Sequence, residues 1–363
     1  MRFSIYSELQ HHGDKPYAQL YHEVLEQIEH AERVGFDVYT VIEHWFFPQF
    51  SISANPWALF GMAAERTSRI HFRTLGHPLP YHNPAVLASQ IAQFDILSGG
   101  RYEFGVVRGH GWIPTKAGLD PRTTRDLYEE SLEILFLALE QERFSYAGKH
   151  YQVEDSHIVP RLPEGRRPRV FLGGTSDRTY ELAGENGWCV AVPPLLPYEA
   201  LKDQLDIYRE FCAKHGNEPY IVWIHAAYID EDRETARREA ERGMRGFLTG
   251  NASPLLAGNE LPPNEVLQEA GFGFYAAGIL EKLAATPYDE MLSGDVVWVG
   301  TPDDVAERIE AVIEKCEGVK EIAITTNAGG FEHWKAIKAQ QLFAETVIPR
   351  FRAEQQAPLE VTA

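Results

Sequence analysis

The sequence predicts an α/β fold, a (β/α)8 TIM barrel with an insertion covering its C-terminal mouth. Three observations carry that expectation. Eight short runs rich in β-branched and aromatic residues recur along the chain, most of them followed by a stretch of helical period. The 363 residues suggest about two domains at roughly 150 residues each, yet one barrel with insertions absorbs this length. A stretch at about 246–294, rich in Gly, Pro and Asn, breaks the rhythm and is too apolar for a solvated linker. The expectation is therefore one domain over 1–363 with a lid at 246–294; the alternative is a helical hairpin that merely covers the barrel flank. The rival is an open doubly wound sheet, for which eight strands are more than usual.

Each element has a local cause. Arg2–Ser7 is a short apolar run. Leu20, Val24, Leu25, Ile28 and Ala31 then form one helical face, and Gly35 follows where a left-handed cap would sit. A β-rich run at 37–42 ends in Glu43-His44. Helix is expected at 56–67, strand at 70–75, and helix over Pro84–Leu97, stopped by Ser98-Gly99-Gly100. Strand Tyr102–Val107, helix 124–139 and a hairpin at 144–153 follow. The strand at 170–172 runs into Gly173-Gly174-Thr175-Ser176 and a helix. Strand 188–192, helix 198–214, strand 220–229 and a charged helix from Asp232 come next. Strand 321–326 and a helix at 331–351 close the chain.

Composition narrows the partners. Lys and Arg number 34 against 53 Asp and Glu, a net charge of −19. An excess of that size repels phosphate backbones and anionic lipid surfaces. Cys189, Cys212 and Cys316 are far apart with no CxxC pair, which argues against a disulfide framework or a thiolate metal site. The N-terminus lacks the charged and apolar regions of a signal peptide, and no apolar run reaches a membrane span. The expected compartment is the cytoplasm, with no nucleic-acid or membrane partner.

A barrel places its chemistry at the C-terminal ends of the strands. There Gly173, Gly174, Thr175 and Ser176 form the best phosphate cradle in the sequence: small residues, hydroxyl donors and a helix N-terminus. The same string is also an ordinary helix start. Arg108, beside Gly109, can aim a planar charged fork at phosphate oxygens or pair with a strand-end carboxylate. His44 follows an apolar strand, and Trp45, Phe46 and Phe47 could wall it from water, although a strand-end histidine is often structural. No HExxH cluster, GxSxG elbow or complete GxGxxG fingerprint occurs, so no metal is expected.

At these residues the chain resembles the bacterial luciferase-like monooxygenase family, flavin-dependent enzymes on a (β/α)8 barrel. The resemblance lies in VIEHWF at 41–46, LPYHNPAVLASQIAQFDILSGGRYEFGVVRG at 79–109, GGTSDRTYELAGENGW at 173–188 and VGTPDDVAERI at 299–309. It implies His44 as the active-site proton-transfer residue and Arg108 as the arginine on the flavin phosphate. It implies a phosphate loop at Gly174, Thr175 and Ser176, with Arg178 and Thr179 as further donors. Thr74, Leu75 and Gly76 would lie against the isoalloxazine, with Glu43, Gly109 and Gly173 completing the cofactor set. Relatives often read Glu-His-His where this chain has Glu43-His44-Trp45, so a role for the second histidine has no counterpart here.

The implied cofactor is FMN, as FMNH2 supplied by a separate flavin reductase. It would trap O2 as a C4a-hydroperoxide, with the protein excluding water and orienting a small, largely apolar substrate such as an aldehyde or ketone. Trp45, Phe46, His82, Trp112, Phe272, Phe274 and Tyr275 are the candidate substrate pocket. The resemblance also implies a homodimer. The alternatives are an F420-dependent oxidoreductase on the same barrel and a non-catalytic flavin-binding protein. Residues 246–281 hold no Lys or Arg, which favours FMN over the acidic tail of F420.

Overall fold

The structure, a computed structural model, describes residues 1–352 apart from 14 and 257–260. Its strands are β1 (Arg2–Ser7), β2 (Val38–Val41), β3 (His71–Pro78), β4 (Tyr102–Val107), β5 (Phe144–Ala147), β6 (Gln152–Ser156), β7 (Val170–Gly173), β8 (Cys189–Ala191), β9 (Ile221–Ile229), β10 (Trp298–Gly300) and β11 (Val319–Thr325). Eight of them close into a ring in the order β1-β2-β3-β4-β7-β8-β9-β11, every pairing parallel. These are the eight expected runs, and the fold is the (β/α)8 barrel. Strands β5 and β6 form the expected surface hairpin. Strand β10 pairs in parallel with the C-terminal end of β9, at Ala227, Tyr228 and Ile229, and was not expected, although Val296-Val297-Trp298-Val299 carries a strand's composition.

Parallel strands buried on both faces read as continuous apolar runs, and all nine residues of β9 are buried. Around the ring, helix Tyr17–Val34 buries Val24, Leu25, Ile28 and Ala31 and ends on Gly35 at φ 108, the left-handed cap its sequence calls for. Helix Pro56–Ala64 stops three residues short of its expected end, and the closing helix divides into His333–Thr346 and Ile348–Arg352. No helix among the described residues is long and apolar enough to cross a membrane.

The 246–294 stretch differs from its expected irregularity. Residues 246–256 belong to a 24-residue helix, Arg233–Leu256. Short helices Asn264–Glu269, Gly273–Ala276, Ile279–Ala284 and Tyr288–Ser293 follow. Composition misleads here because Gly246 and Gly250 serve close packing inside a helix rather than turns. A Cβ on Gly250 would come within 2.5 Å of the Gln49 carbonyl oxygen, so only glycine lets this helix press so near the barrel rim.

Charge, not hydrocarbon, fills the N-terminal end of the barrel. The Arg73 guanidinium on β3 is fully buried. It donates to Glu103 on β4 at 2.5 and 3.0 Å and to Glu321 on β11 at 2.8 and 2.9 Å, and it lies 3.9 Å over the Phe171 ring. Arg2 on β1 adds a contact to Glu103 at 2.8 Å. Burial lowers an arginine's pKa, but the two carboxylates more than offset this and hold Arg73 charged. Removing one partner of such a set strands the others without water. Arg73→Met is therefore expected to destabilise the fold by about 3–5 kcal/mol in urea unfolding followed by circular dichroism. Adding Glu103→Gln and Glu321→Gln should recover part of that loss; an unchanged midpoint in the single variant would show that the clamp contributes nothing.

Candidate active site

The strand C-termini surround a cavity of about 280 Å³, the position a barrel reserves for chemistry. One wall is basic and hydroxyl-rich. Arg108 and Gly109 follow β4, and Gly173, Gly174, Thr175 and Ser176 follow β7. Thr179, one turn into helix Asp177–Asn186, completes the wall, and all of these line the cavity. Ser176 stands at the N-cap without a side-chain cap bond; its Oγ lies 2.9 Å from Thr179 Oγ1. The first N–H groups of the helix and these hydroxyls thus remain open to an anion. Arg125 and Tyr128 line the same end. Sequence reasoning missed them because they begin a helix rather than end a strand. Arg178, by contrast, turns outward to Glu181 and Glu185 and is no donor to the cavity.

Arg108 already has work. It donates to the carbonyls of Ala270 and Gly271 at 2.6 and 2.7 Å and stacks 3.7 Å over Phe272. Burial and the nearby Arg125 lower its pKa to about 10, so it stays charged at neutral pH. The segment after the long helix is thereby tied to the basic wall, and its Phe272, Phe274 and Tyr275 line the cavity as expected.

Another part of the wall is aromatic and aliphatic. Strand β3 breaks register between Thr74 and His77 and lays Leu75 and Gly76 on the cavity. A Cβ on Gly76 would meet the Gly105 backbone at 2.7 Å, so glycine is required for β3 and β4 to approach there. Trp112 lines the cavity, stacked at 4.6 Å on His110. Thr74 does not reach the cavity surface; its hydroxyl accepts from Tyr102 at 3.0 Å.

His44 sits one ring behind the cavity surface, 1% exposed, against Phe50, His110 and Trp112. Its Nε2 accepts the Trp112 indole N–H at 2.8 Å. An indole can only donate, so the ring hydrogen sits on Nδ1, a buried donor with no partner among the described residues. Burial and then His110 push the His44 pKa well below its ordinary value.

Glu43 lines the cavity, and its carboxylate is held from behind. His77 Nδ1 lies 2.6 Å from Oε2 and His82 Nε2 lies 3.2 Å from Oε1. Burial would raise the Glu43 pKa, but hydrogen bonds from His77 and His82 outweigh it and hold it at about 2. His82 therefore supports Glu43 and does not line the cavity, a correction to its expected place. Trp45 and Phe46 also lie outside: the Trp45 indole donates to the Ala54 carbonyl at 3.0 Å, and Phe46 is half exposed. The hydrophobic run containing them turns away at the strand end, which periodicity cannot foresee. Glu43, His77 and His82 are close enough to suggest metal ligands. The 2.6 Å separation is that of a hydrogen bond, shorter than the roughly 3.3 Å between neighbouring ligand atoms on a tetrahedral zinc.

Tyr6, Glu8, Phe50, His110 and Asn251 also line the cavity and were not singled out. Applying the strand-end rule to β1, which stops at Ser7, would have found Glu8. The residues fit a flavin nucleotide: an anion cradle at one end, a flat aromatic and aliphatic wall beyond it, and an orphaned buried Nδ1–H behind that wall.

Barrel, rim cavity and cradle are the features of an enzyme whose strand ends can take an anionic ligand. The chain belongs to the luciferase-like monooxygenase family, whose profile matches residues 1–316. Relatives include flavin-dependent monooxygenases, and this chain is an enzyme of that family. It is similar to the alkanal monooxygenase alpha chain of Photobacterium leiognathi, 25% identical over 339 residues that cover 90% of this chain and 92% of that one. In fold it resembles the FMN-bound oxygenating constituent of 3,6-diketocamphane monooxygenase from Pseudomonas putida. That likeness has a TM-score of 0.77 at 22% identity and covers 96% of this chain and 98% of that one. An F420-dependent secondary alcohol dehydrogenase shares the fold at TM-score 0.72 and 18% identity, covering 96% and 98% of the two chains.

The tautomer of His44 is directly checkable. Long-range ¹⁵N–¹H spectra of histidine-labelled protein are expected to show it neutral and Nδ1-protonated from pH 8 to pH 6. A base held below its ordinary pKa stabilises the fold above about pH 6.5, and that contribution fades as the pH falls. A His44 signal titrating near pH 6.5 in the folded protein would contradict the assignment.

Proposed function

We propose that the protein is the oxygenase component of a two-component system, using FMNH2 and O2 to oxygenate a small, largely apolar substrate such as an aldehyde or ketone. The observation that carries this is the pairing of an anion cradle with an aromatic cavity at one barrel mouth. Gly174, Thr175, Ser176, Thr179 and Arg108 would hold the FMN phosphate, with Arg125 as a second cation. Leu75 and Gly76, with Glu43 beneath, would support the flavin ring. Bound reduced FMN supplies the activation of O2. The protein's tasks are then to bind, to exclude water and to place a proton.

Phe272, Phe274 and Tyr275 suit water exclusion, since they line the cavity with apolar rings. Arg108 gives their segment a link to the cofactor: the guanidinium that holds the Ala270 and Gly271 carbonyls is the one that would meet the phosphate. His44 would hold its proton at Nδ1, with the tautomer fixed by Trp112. A separate flavin reductase would deliver FMNH2 transiently, a reading supported by the absence of any GxGxxG fingerprint in the sequence. Three buried free cysteines agree with a reducing cytoplasm. The 1–363 chain would act as one barrel domain in a homodimer.

A second reading, an F420-dependent oxidoreductase, draws on the shared fold of the alcohol dehydrogenase. The acid-rich covering segment, without Lys or Arg at 246–281, favours FMN.

Three measurements decide. With FMNH2 and ¹⁸O2, one labelled oxygen should enter an aldehyde or ketone substrate; F420 binding without FMN binding would overturn the assignment. Arg108→Ala should weaken FMN binding at least about tenfold, as expected for a lost charge-assisted bond. His44→Ala should slow turnover about 10²–10⁴-fold while leaving FMN affinity nearly unchanged. The opposite division of effects between the two variants would reverse their roles.

A further inference from the structure

Six carboxylates among the described residues are buried: Glu8, Glu43, Asp95, Glu103, Asp230 and Glu321. Five of them meet a basic group. Asp95 pairs with Arg166, Asp230 with Lys338, Glu103 and Glu321 share Arg73, and Glu43 is held by His77 and His82. Glu8 differs. It is 3% exposed, lines the cavity, and its hydrogen-bond partners are all neutral.

Those partners are set for a carboxylate. Gln10 Nε2 and Asn251 Nδ2 each donate to Glu8 Oε2 at 2.9 Å, and the Tyr6 hydroxyl donates to Oε1 at 3.2 Å. The amide orientations are fixed from outside. Both nitrogens also donate to the Phe247 carbonyl, at 3.1 and 3.0 Å, and Gln10 Oε1 accepts the Gly329 N–H at 3.0 Å. The amides therefore turn nitrogen, not oxygen, toward Glu8. A buried charge needs a partner, and the protein does not bring one.

We infer that Glu8 recognises a cationic nitrogen, so that the cavity takes a molecule with an apolar or aromatic body and one ammonium group. That group supplies the cation the carboxylate lacks. Tyr6, Phe50 and Trp112, on the same cavity, offer the ring faces that cations favour. The other ionisable groups there are compatible: Glu43 is anionic, and His110, its pKa lowered to about 4 by burial, is neutral. Arg108 and Arg125 line the cradle end. Glu8 follows β1 and the cradle follows β7, which stand four places apart in a ring of eight, on opposite sides of the mouth. A phosphate and an ammonium group can thus occupy the cavity together. The net charge of −19 draws cations toward it. Calling this molecule the substrate rests on the proposed function; the recognition itself does not.

Burial pushes the Glu8 pKa up to about 8, against the hydrogen bonds from Asn251, Tyr6 and Gln10. At pH 7 an arriving cation should therefore expel close to one proton from Glu8. The probes are benzyltrimethylammonium, phenethylamine and octylamine, each against its neutral alcohol, titrated calorimetrically into the full chain in two buffers of different ionisation enthalpy. At least one cation should bind ten or more times tighter than its alcohol, release about one proton at pH 7, and tighten about fiftyfold from pH 6 to pH 8. Glu8→Gln should abolish that preference and leave FMN affinity unchanged. Equal binding of cations and alcohols, no binding by any cation, or a preference that survives Glu8→Gln would overturn the inference. If Glu8→Gln fails to fold, the wild-type proton release and pH dependence decide alone. Glu8-dependent cation binding in a protein that does not bind FMN would keep this inference and remove the proposed function.

Discussion

A single guanidinium ties the barrel together across its narrow end. Arg73 reaches from β3 to Glu103 on the neighbouring strand and to Glu321 on β11, a residue 248 positions away along the chain. Apolar packing tolerates small slips between strands. A bidentate ion pair without water does not, because a shift of one residue would leave three charges stranded. Strand β1, with Arg2 on the same carboxylates, closes between β2 and β11 in a fixed register. Everything at the far end of the strands inherits that register.

At that far end the same ring separates two chemistries. The β4 and β7 ends carry arginines, hydroxyls and unpaired helix N–H groups, while β1 and β2 carry Glu8 and Glu43. Between them stand aromatic rings and a peptide segment tied down by Arg108. The net charge of −19 describes the surface, not this cavity, where one wall is basic. Low exposure makes each polar contact count. The Trp112 indole decides which nitrogen of His44 carries hydrogen, and two amides anchored on the Phe247 carbonyl decide what Glu8 accepts.

Residue by residue, legibility follows sequence distance. The cradle was readable because glycines, hydroxyls and helix start are contiguous at 173–176. His44 was readable as a candidate, but its position one ring behind the surface depends on Phe50, His110 and Trp112 folding over it. Trp45, Phe46 and His82 stood in the right neighbourhood and face elsewhere, since a strand end can turn either way with the same sequence. Arg125 and Glu8 were overlooked: one starts a helix, and the other looks like an ordinary polar residue after a strand.

The sequence by itself determined the eight strands, most helix ends, the cradle and the family, because periodicity, capping and contiguous motifs are local properties. Only the tertiary structure decided that residues 246–256 continue a helix, that Arg108 holds the Ala270 and Gly271 carbonyls, and that Glu8 meets Asn251 from 243 positions away. The physical reason is ring closure. Bringing β1 beside β11 sets groups from the two ends of the chain against each other, and no local pattern records which of them will meet.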